Sequence, residues 1–391
     1  MSGVLIHDGR RGGHRKWCVE AIAGRCADGV ILTPFSTPRV SRPRHPSASD
    51  LASAVHDVGG EVIFDPMTHA LLLPGTNRRD FYDAWGLWGA AGTRLDGMAE
   101  QLAHVERVFE RQRQIGAPTL APTLQLSTPQ APDAYRALEI ANLARGLDRD
   151  CWQSLVGTRS FWSSGAELDA YVGNLAALRA PVWNITVANE LVVDHLPNLT
   201  ATEAFSGLCR TVHSLSLRAR VVISFGDFSA LPAIAAGADT VGSGWDRGQR
   251  TFDPLAFREN SDPGIRIPAS YVTHGGLNSI LRRDTAEAIE RWDSGRARTI
   301  RGGPMPPSDQ TQRMHHLLQL RQAVQQIDAA GGNRAERVAL LRSRYNTAIA
   351  DYDTLIADLP RIVRETDKVA WVSNPAAVLE SYASVEGFSK L

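Results

Sequence analysis

Two groups able to move protons stand four residues apart in the segment Phe64-Asp65-Pro66-Met67-Thr68-His69. An imidazole titrates near neutrality and a desolvated carboxyl can be raised toward it, so the pair suits general acid–base chemistry. Pro66 holds Asp65 extended and lets the following residues turn back. The same residues also make an ordinary turn, since Asp before Pro commonly starts one. Asp227, which follows Gly226 after the apolar run Val221–Phe225, completes the catalytic candidates Asp65, His69 and Asp227. A second set suits anions: Arg10, Arg11, Arg159 and Arg247 can grip phosphate or carboxylate through two N–H groups at once. Beside them, the amides of Gly226–Phe228 at a helix start and of Gly242–Gly244 form an expected anion cradle. The expected ligand-binding residues are therefore Gly226, Gly242, Gly244, Arg10, Arg11 and Arg247. Ligand types for a metal also occur in His7, Asp8, Asp65, His69, Glu190 and Asp227, but no HxH follows the first apolar run and no HExxH occurs. A carboxylate-held divalent ion or a flavin stays open as the cofactor.

Elements that would gather these residues can be counted along the chain. Eight apolar runs, Val4–His7, Val30–Pro34, Glu61–Asp65, Thr119–Gln125, Trp152–Gly157, Val182–Val187, Val221–Phe225 and Asp239–Val241, read as strands. Pro122 interrupts the fourth. Between them, His14–Ala23, Ala48–Val58, Thr93–Ile115, Pro132–Gly146, Ala166–Leu178, Thr202–Leu217 and Ser229–Ala236 read as helices, with Ser47 or Ser49 and Thr200 as caps. Alternation of this kind predicts an α/β fold, a (β/α)8 TIM-type barrel, with residues 1–283 as the barrel. An open doubly wound sheet is the rival, weakened by the missing N-terminal GxGxxG turn. In a barrel the strand C-termini share one mouth, which would receive His7, Asp8, Arg10, Arg11, Thr33, Asp65, His69, Gln125, Arg159, Asn189, Glu190, Asp227, Asp246 and Arg247. The insertion from Pro66 to about Gly92, with Tyr82, Trp85 and Trp88, is expected to cover that mouth or pad the helix behind it. Asp253–Arg283 reads as irregular. Residues 284–391 read as a C-terminal helical extension with a hairpin of Gln310–Ala329 and Arg334–Leu359, whose apolar stripe at Leu317, Leu320, Val324 and Ile327 packs on the barrel or meets a partner.

The run GDFSALPAIAAGADTVGSGW (226–245) resembles the strand-seven-to-eight segment of phosphate-binding (β/α)8 barrels, whose Gly-rich ends hold a substrate or flavin phosphate. It is also similar to the corresponding segment of the tRNA-guanine transglycosylase barrel. That second resemblance implies an Asp nucleophile after the strand, where this chain has Gly242, with Asp246 four residues later. A DSGGFQ-like segment is replaced by DPMTHA and no zinc-binding cysteine cluster follows.

Composition narrows the classes further. Net charge is zero, so no overall field draws the chain to nucleic acid or anionic membrane, although a local basic face is compatible with nucleic acid. All positive residues except Lys16, Lys368 and Lys390 are Arg, which suits bidentate recognition and equally a GC-rich genome. Four scattered cysteines, no signal-like start and no membrane-length apolar run predict a cytoplasmic protein. The expected function is a barrel enzyme acting on a phosphate-bearing small molecule or nucleotide. A transglycosylase-like protein that modifies or binds nucleic acid, and a non-catalytic interaction protein using its helices for self-association, are the alternatives.

Overall fold

The computed structural model describes residues 2–11, 13–77, 79–190, 192–193, 196–258 and 270–388, with backbone alone at 192–193 and 196–197. Eight parallel strands curl in the order β3-β2-β1-β8-β7-β6-β5-β4: β1 Gly3–His7, β2 Gly29–Leu32, β3 Glu61–Phe64, β4 Gln125–Leu126, β5 Gln153–Thr158, β6 Val182–Ala188, β7 Arg220–Ser224 and β8 Thr240–Gly244. This is the circular order of a (β/α)8 barrel opened between β3 and β4, and the expected fold class holds. Seven helices or short helical pairs occupy the expected connections, α1 Gly13–Ala23, α2 Ala48–Asp57, α3 Met98–Gln114, α4 Pro132–Leu147, α5 Ala166–Ala177, α6 Thr202–Leu215 and α7 Leu231–Ala235. Ser47 caps α2 through a reciprocal bond pair with Asp50. Thr200 does not cap α6; its hydroxyl turns to Asn198 instead.

Where β3 and β4 fail to pair, one side chain replaces the ladder. Pro122 and the irregular backbone around it leave β4 only two residues long, with an isolated bridge from Leu120 to Trp152 below it. Gln112 of α3 enters the gap, its amide donating to Phe64 O and Leu120 O and its carbonyl accepting from Leu120 N, each at 3.0 Å. All three backbone groups are buried in an apolar wall, so losing the amide strands them. Gln112→Leu should therefore lower unfolding free energy by about 3 kcal/mol or more, measured by urea titration.

Strand alternation separates two cores. Outward residues such as Val4, Ile6, Val62, Phe64, Val221 and Ile223 join the helices, whereas Leu5, Ile31, Ile63, Leu120, Val182 and Val222 form a separate inner cluster with Trp152 against it. One step toward the strand N-termini, Arg220 bonds Glu61 across the barrel floor at 2.5 and 2.7 Å.

After β8 the chain departs from the expected layout. The stretch read as irregular contains an antiparallel hairpin, Tyr271–His274 with Ser279–Arg282; residues 259–269 of that stretch lie outside the described residues. Helices α8 Arg283–Trp292 and α9 Ser294–Arg301 follow. Then α10, Asp309–Ala329, packs on β1 and β8 and takes the place of the barrel's eighth helix. Its stripe of Leu317, Leu320, Val324 and Ile327 is wholly buried, the packing outcome of the two expected. The rest of the hairpin, α11 Arg334–Asp358, and α12 Asn374–Val385 continue this apolar shell over α7 and α6. No described helix is long and apolar enough to cross a membrane.

Candidate functional site at the strand C-termini

Two residues beyond the inner apolar layer, the alternation places His7, Asp65, Ser154 and Ser224 on the inner face of β1, β3, β5 and β7 or directly beyond their ends. Alternate strands supply the side chains of one layer in such barrels. A layer of Leu5, Ile63, Trp152 and Val222 therefore carries a wholly polar layer on its C-terminal side. Ser224 donates to Asn184 Oδ1 at 2.7 Å and Ser154 to Ala121 O at 2.8 Å, leaving the histidine and the aspartate as the groups able to exchange protons.

Asp65 is buried, and one carboxylate oxygen accepts from Met67 N at 2.8 Å, closing the turn that Asp-Pro begins. Burial raises its pKa to about 6, against the smaller opposing effect of that bond. Met67 itself has φ +47°, a left-handed conformation costly for a side chain with a Cβ and characteristic of functional turns. Beyond it Thr68 bonds His104 at 2.9 Å, and His104 stacks on Trp88 at 3.9 Å. Trp85 packs on Phe64 at 4.5 Å and donates to Thr37 O, so the aromatic insertion pads the ends of β2 and β3 and steadies the Asp65 turn.

His69 lies against Phe252 edge-on at 5.1 Å, and burial holds its pKa at about 3. Its buried Nε2 has no hydrogen-bond partner. Together with Gln125, whose buried Oε1 is likewise unpartnered, it lines a cleft of about 430 Å³ whose rim carries Arg94, Asp96, Asp133 and Arg136. The cleft opens where β3 and β4 do not pair. Phe252 also touches Phe225 at 5.7 Å, and Phe225 stacks on His7 at 3.7 Å, so an aromatic contact chain joins the two histidines across the mouth. In the sequence Gln125 is legible only as a polar strand end and His7 as that or as a metal-ligand type, whereas Ser154 and Ser224 sit inside apolar runs that give no signal of a site.

The structure brings Asp65 and His69 to one end of the barrel but ties Asp227 elsewhere. Its Oδ2 accepts from Ser243 at 2.9 Å and from His316 Nε2 of α10 at 3.0 Å, with Arg250 at 3.6 Å. Burial opposes its ionisation, but His316 and Arg250 outweigh that and hold the carboxyl below its usual range. Burial, reinforced by Arg250, lowers the His316 pKa against the raising effect of Asp227, with Nδ1 bonded to Thr273 at 2.9 Å. Ser243 alternates with the inner-facing Gly242, so this network fastens α10 to the outside of β8. Asp227→Ala would strand buried Arg250 and is expected to cost about 3–5 kcal/mol in urea unfolding and to expose the C-terminal helices to protease. A stability unchanged within error would instead restore Asp227 as a candidate for chemistry.

Nor are the anion-binding candidates gathered. Arg10 pairs with Asp80 at 2.6 Å and lies over Phe81, Arg11 pairs with Asp246 at 3.6 Å, and Arg247 lies over Tyr271 at 4.2 Å. Arg159 donates to Asn198 O. Cradle amides have partners within the chain: Gly226 N donates to Gly242 O at 2.9 Å and Phe228 N to Asp227 Oδ1, while Gly242–Gly244 lies in the ladder of β8 with β1; next to them Phe225 N donates to His7 Nε2 at 3.0 Å. The glycines serve close packing. A Cβ on Gly226 would meet Ala230 Cβ at 2.6 Å, one on Gly242 would meet His7 Nε2 at 2.6 Å, and one on Gly244 would meet Gln249 Cβ at 2.3 Å. Asp8 is also engaged, accepting from Thr37 at 2.6 Å and Arg15 at 3.2 Å on the outer face of the β1 end. Among the described residues, no three His, Cys, Asp or Glu side chains converge as a metal site.

Fold and site together define a (β/α)8 barrel with a polar C-terminal layer beside a cleft. No protein-family model matches the chain, and no curated protein matches it. Solved structures of related shape include a tryptophan synthase complex from Pyrococcus furiosus, 13% identical over 64% of this chain and 88% of that one, TM-score 0.33. D-psicose 3-epimerase with D-tagatose from Clostridium cellulolyticum H10 is 10% identical over 68% and 93%, TM-score 0.34. A probable tagatose 6 phosphate kinase from Sinorhizobium meliloti 1021 is 15% identical over 100% and 99%, TM-score 0.31.

Proposed function

We propose that the protein is an enzyme that moves protons on a small polar molecule at the C-terminal mouth of the barrel. One observation carries this reading: Asp65 stands in the polar layer, buried, with its pKa raised to about 6. A carboxyl so placed exchanges its proton near neutral pH, as a general acid or base must. His69, neutral in that range, serves as a hydrogen-bonding wall of the cleft rather than as a charged partner. A phosphate-bearing small molecule or nucleotide remains the expected ligand class. Its anionic end would meet Arg94 at the cleft rim, since Arg10, Arg11, Arg247 and Arg136 engage Asp80, Asp246, Tyr271 and Asp133.

The experiment is a thermal-shift survey of phosphorylated and unphosphorylated sugars and nucleotides, followed by turnover of any ligand found. Asp65→Asn should retain binding and lose about 10²–10⁴-fold in kcat. Turnover unaffected by that change would sink the assignment.

A further inference from the structure

We propose that the polar layer is built for carbonyl compounds with a C–H bond beside the carbonyl: Asp65 takes the carbon-bound proton while His7, as a neutral imidazole, donates its Nδ1–H to the carbonyl oxygen. This rests on the proton-transfer reading of Asp65 and adds the second group and the substrate class.

His7 is held in one tautomer by the backbone. Its Nε2 lies 3.0 Å from Phe225 N, and an amide can only donate, so Nε2 accepts and the ring proton sits on Nδ1. That Nδ1 is buried and has no partner, although the ring is only 2% exposed. A buried N–H without an acceptor is costly, and it becomes useful when a ligand oxygen completes the bond.

Three features fix the ring. Phe225 stacks on it at 3.7 Å with planes 17° apart. The backbone of Phe225 adopts φ +54°, a strained conformation for a bulky residue, while its amide points at the imidazole. Gly242 leaves the space beside Nε2 that a Cβ would enter. Burial lowers the His7 pKa to about 3, so the donor is an imidazole and not an imidazolium. A neutral donor matches the developing enolate oxygen without first pairing with Asp65 as a salt bridge.

Register sets the juxtaposition. His7 and Asp65 each stand two residues beyond a member of the inner apolar cluster, Leu5 on β1 and Ile63 on β3, and so belong to one layer. Around them the buried Thr186 Oγ1 and Asn189 Oδ1 also lack partners and suit the hydroxyls of a hydroxycarbonyl substrate. In the step, the C–H bond breaks and its proton joins the Asp65 carboxylate. Its electron pair forms the C=C bond, and the carbonyl π pair moves to oxygen, stabilised by His7 Nδ1–H. Return of a proton to the opposite face of the same carbon gives an epimer; return to the former carbonyl carbon, while the proton of the neighbouring hydroxyl passes to the enolate oxygen, gives an isomer, with no oxidant and no co-reactant.

The test uses the full chain. Dihydroxyacetone, glyceraldehyde, fructose and ribulose, each with and without a terminal phosphate, are incubated with it in D₂O and followed by NMR. Deuterium should enter the carbon beside the carbonyl of at least one probe, and Asp65→Asn should abolish the exchange. His7→Phe should lower the exchange kcat by about 10²–10³-fold with KM little changed, while His7→Gln, which keeps an N–H donor, recovers part of it. Independently of activity, ¹⁵N-histidine spectra of the wild type should show His7 as the neutral Nδ1–H tautomer from pH 5 to 8. An Nε2–H or doubly protonated ring at pH 7 overturns the proposal, as does exchange indifferent to His7. Absence of exchange in every probe overturns the substrate class, while the Asp65 reading is judged separately by its own turnover and pH behaviour.

Discussion

Asp65→Asn is expected to make the protein more stable at pH 7 by ~3 kcal/mol while removing its proton-transfer chemistry. The folded chain holds this carboxyl at about 6, against 3.8 for an unhindered one, and the difference is a free-energy cost to the folded state once both forms can ionise. The sign follows from where each state releases its proton. Below pH 4 both are protonated and the residue costs nothing. As pH rises from about 4 to 6 the unfolded chain ionises while the folded one does not, so wild-type stability falls by ~1.4 kcal/mol per pH unit and then levels off. The amide of Asn keeps an oxygen to accept from Met67 N without carrying the charge. Urea unfolding of wild type and variant from pH 4 to 8 should therefore give curves that coincide at the acid end and separate to ~3 kcal/mol above pH 6. A variant less stable than wild type at pH 7 would show that the carboxylate is paired in the fold and not poised for proton exchange. Stability withheld at a buried ionisable group is the usual companion of function.

The second large effect is steep acid unfolding between pH 6.5 and 4. His7, His69 and His274 have pKa values lowered to about 3 by burial, and His104 to about 4 by burial, which the bond to Leu87 O opposes and Arg107 reinforces. All four are neutral in the fold and free to bind protons once it opens. Below pH 6.5 the unfolded state takes up protons the folded state refuses, so stability falls with pH, by ~1.4 kcal/mol per unit for each histidine and ~5 for the four. Asp65 works in the opposite sense from pH 6 to 4, since the folded chain gains its proton there, and offsets about a quarter of the slope. A domain with an ordinary 5–15 kcal/mol of stability would be exhausted within about one to four pH units. Measuring unfolding free energy against pH gives the proton count directly. His274→Gln, remote from the mouth, should reduce the slope by one proton. Fewer than two protons taken up across the window would contradict the burial of these rings in their neutral state.

Much of the barrel is written in local pattern. The buried parallel strands are short apolar runs punctuated by turns, and the helices between them bear caps and apolar faces, so strand number and sequence follow from Val4 to Val241 with ends shifted by a few residues, except that the fourth run, Thr119–Gln125, gives only the strand Gln125–Leu126 and a bridge at Leu120. The Asp65-Pro66 turn is equally local, because both the extended residue before Pro and the Asp side-chain bond to Met67 N arise within three residues. By itself the sequence determined this alternation, the turn, the polar strand ends and the apolar stripe of α10.

Partners distant in the chain decided the rest. Whether Arg10, Arg11 and Arg247 face a ligand depended on Asp80, Asp246 and Tyr271, which no spacing rule connects to them. Gly242 looks like an anion turn in sequence, but the space it leaves is taken by His7, which lies on the other side of the barrel closure. Asp227 reads as a strand-end acid until α10, some ninety residues on, brings His316 to it. The missing β3–β4 ladder is made good by Gln112, an unremarkable polar residue of a long helix. In each case the local code specifies which way a side chain leaves the backbone, and only closure of the barrel specifies what it meets there.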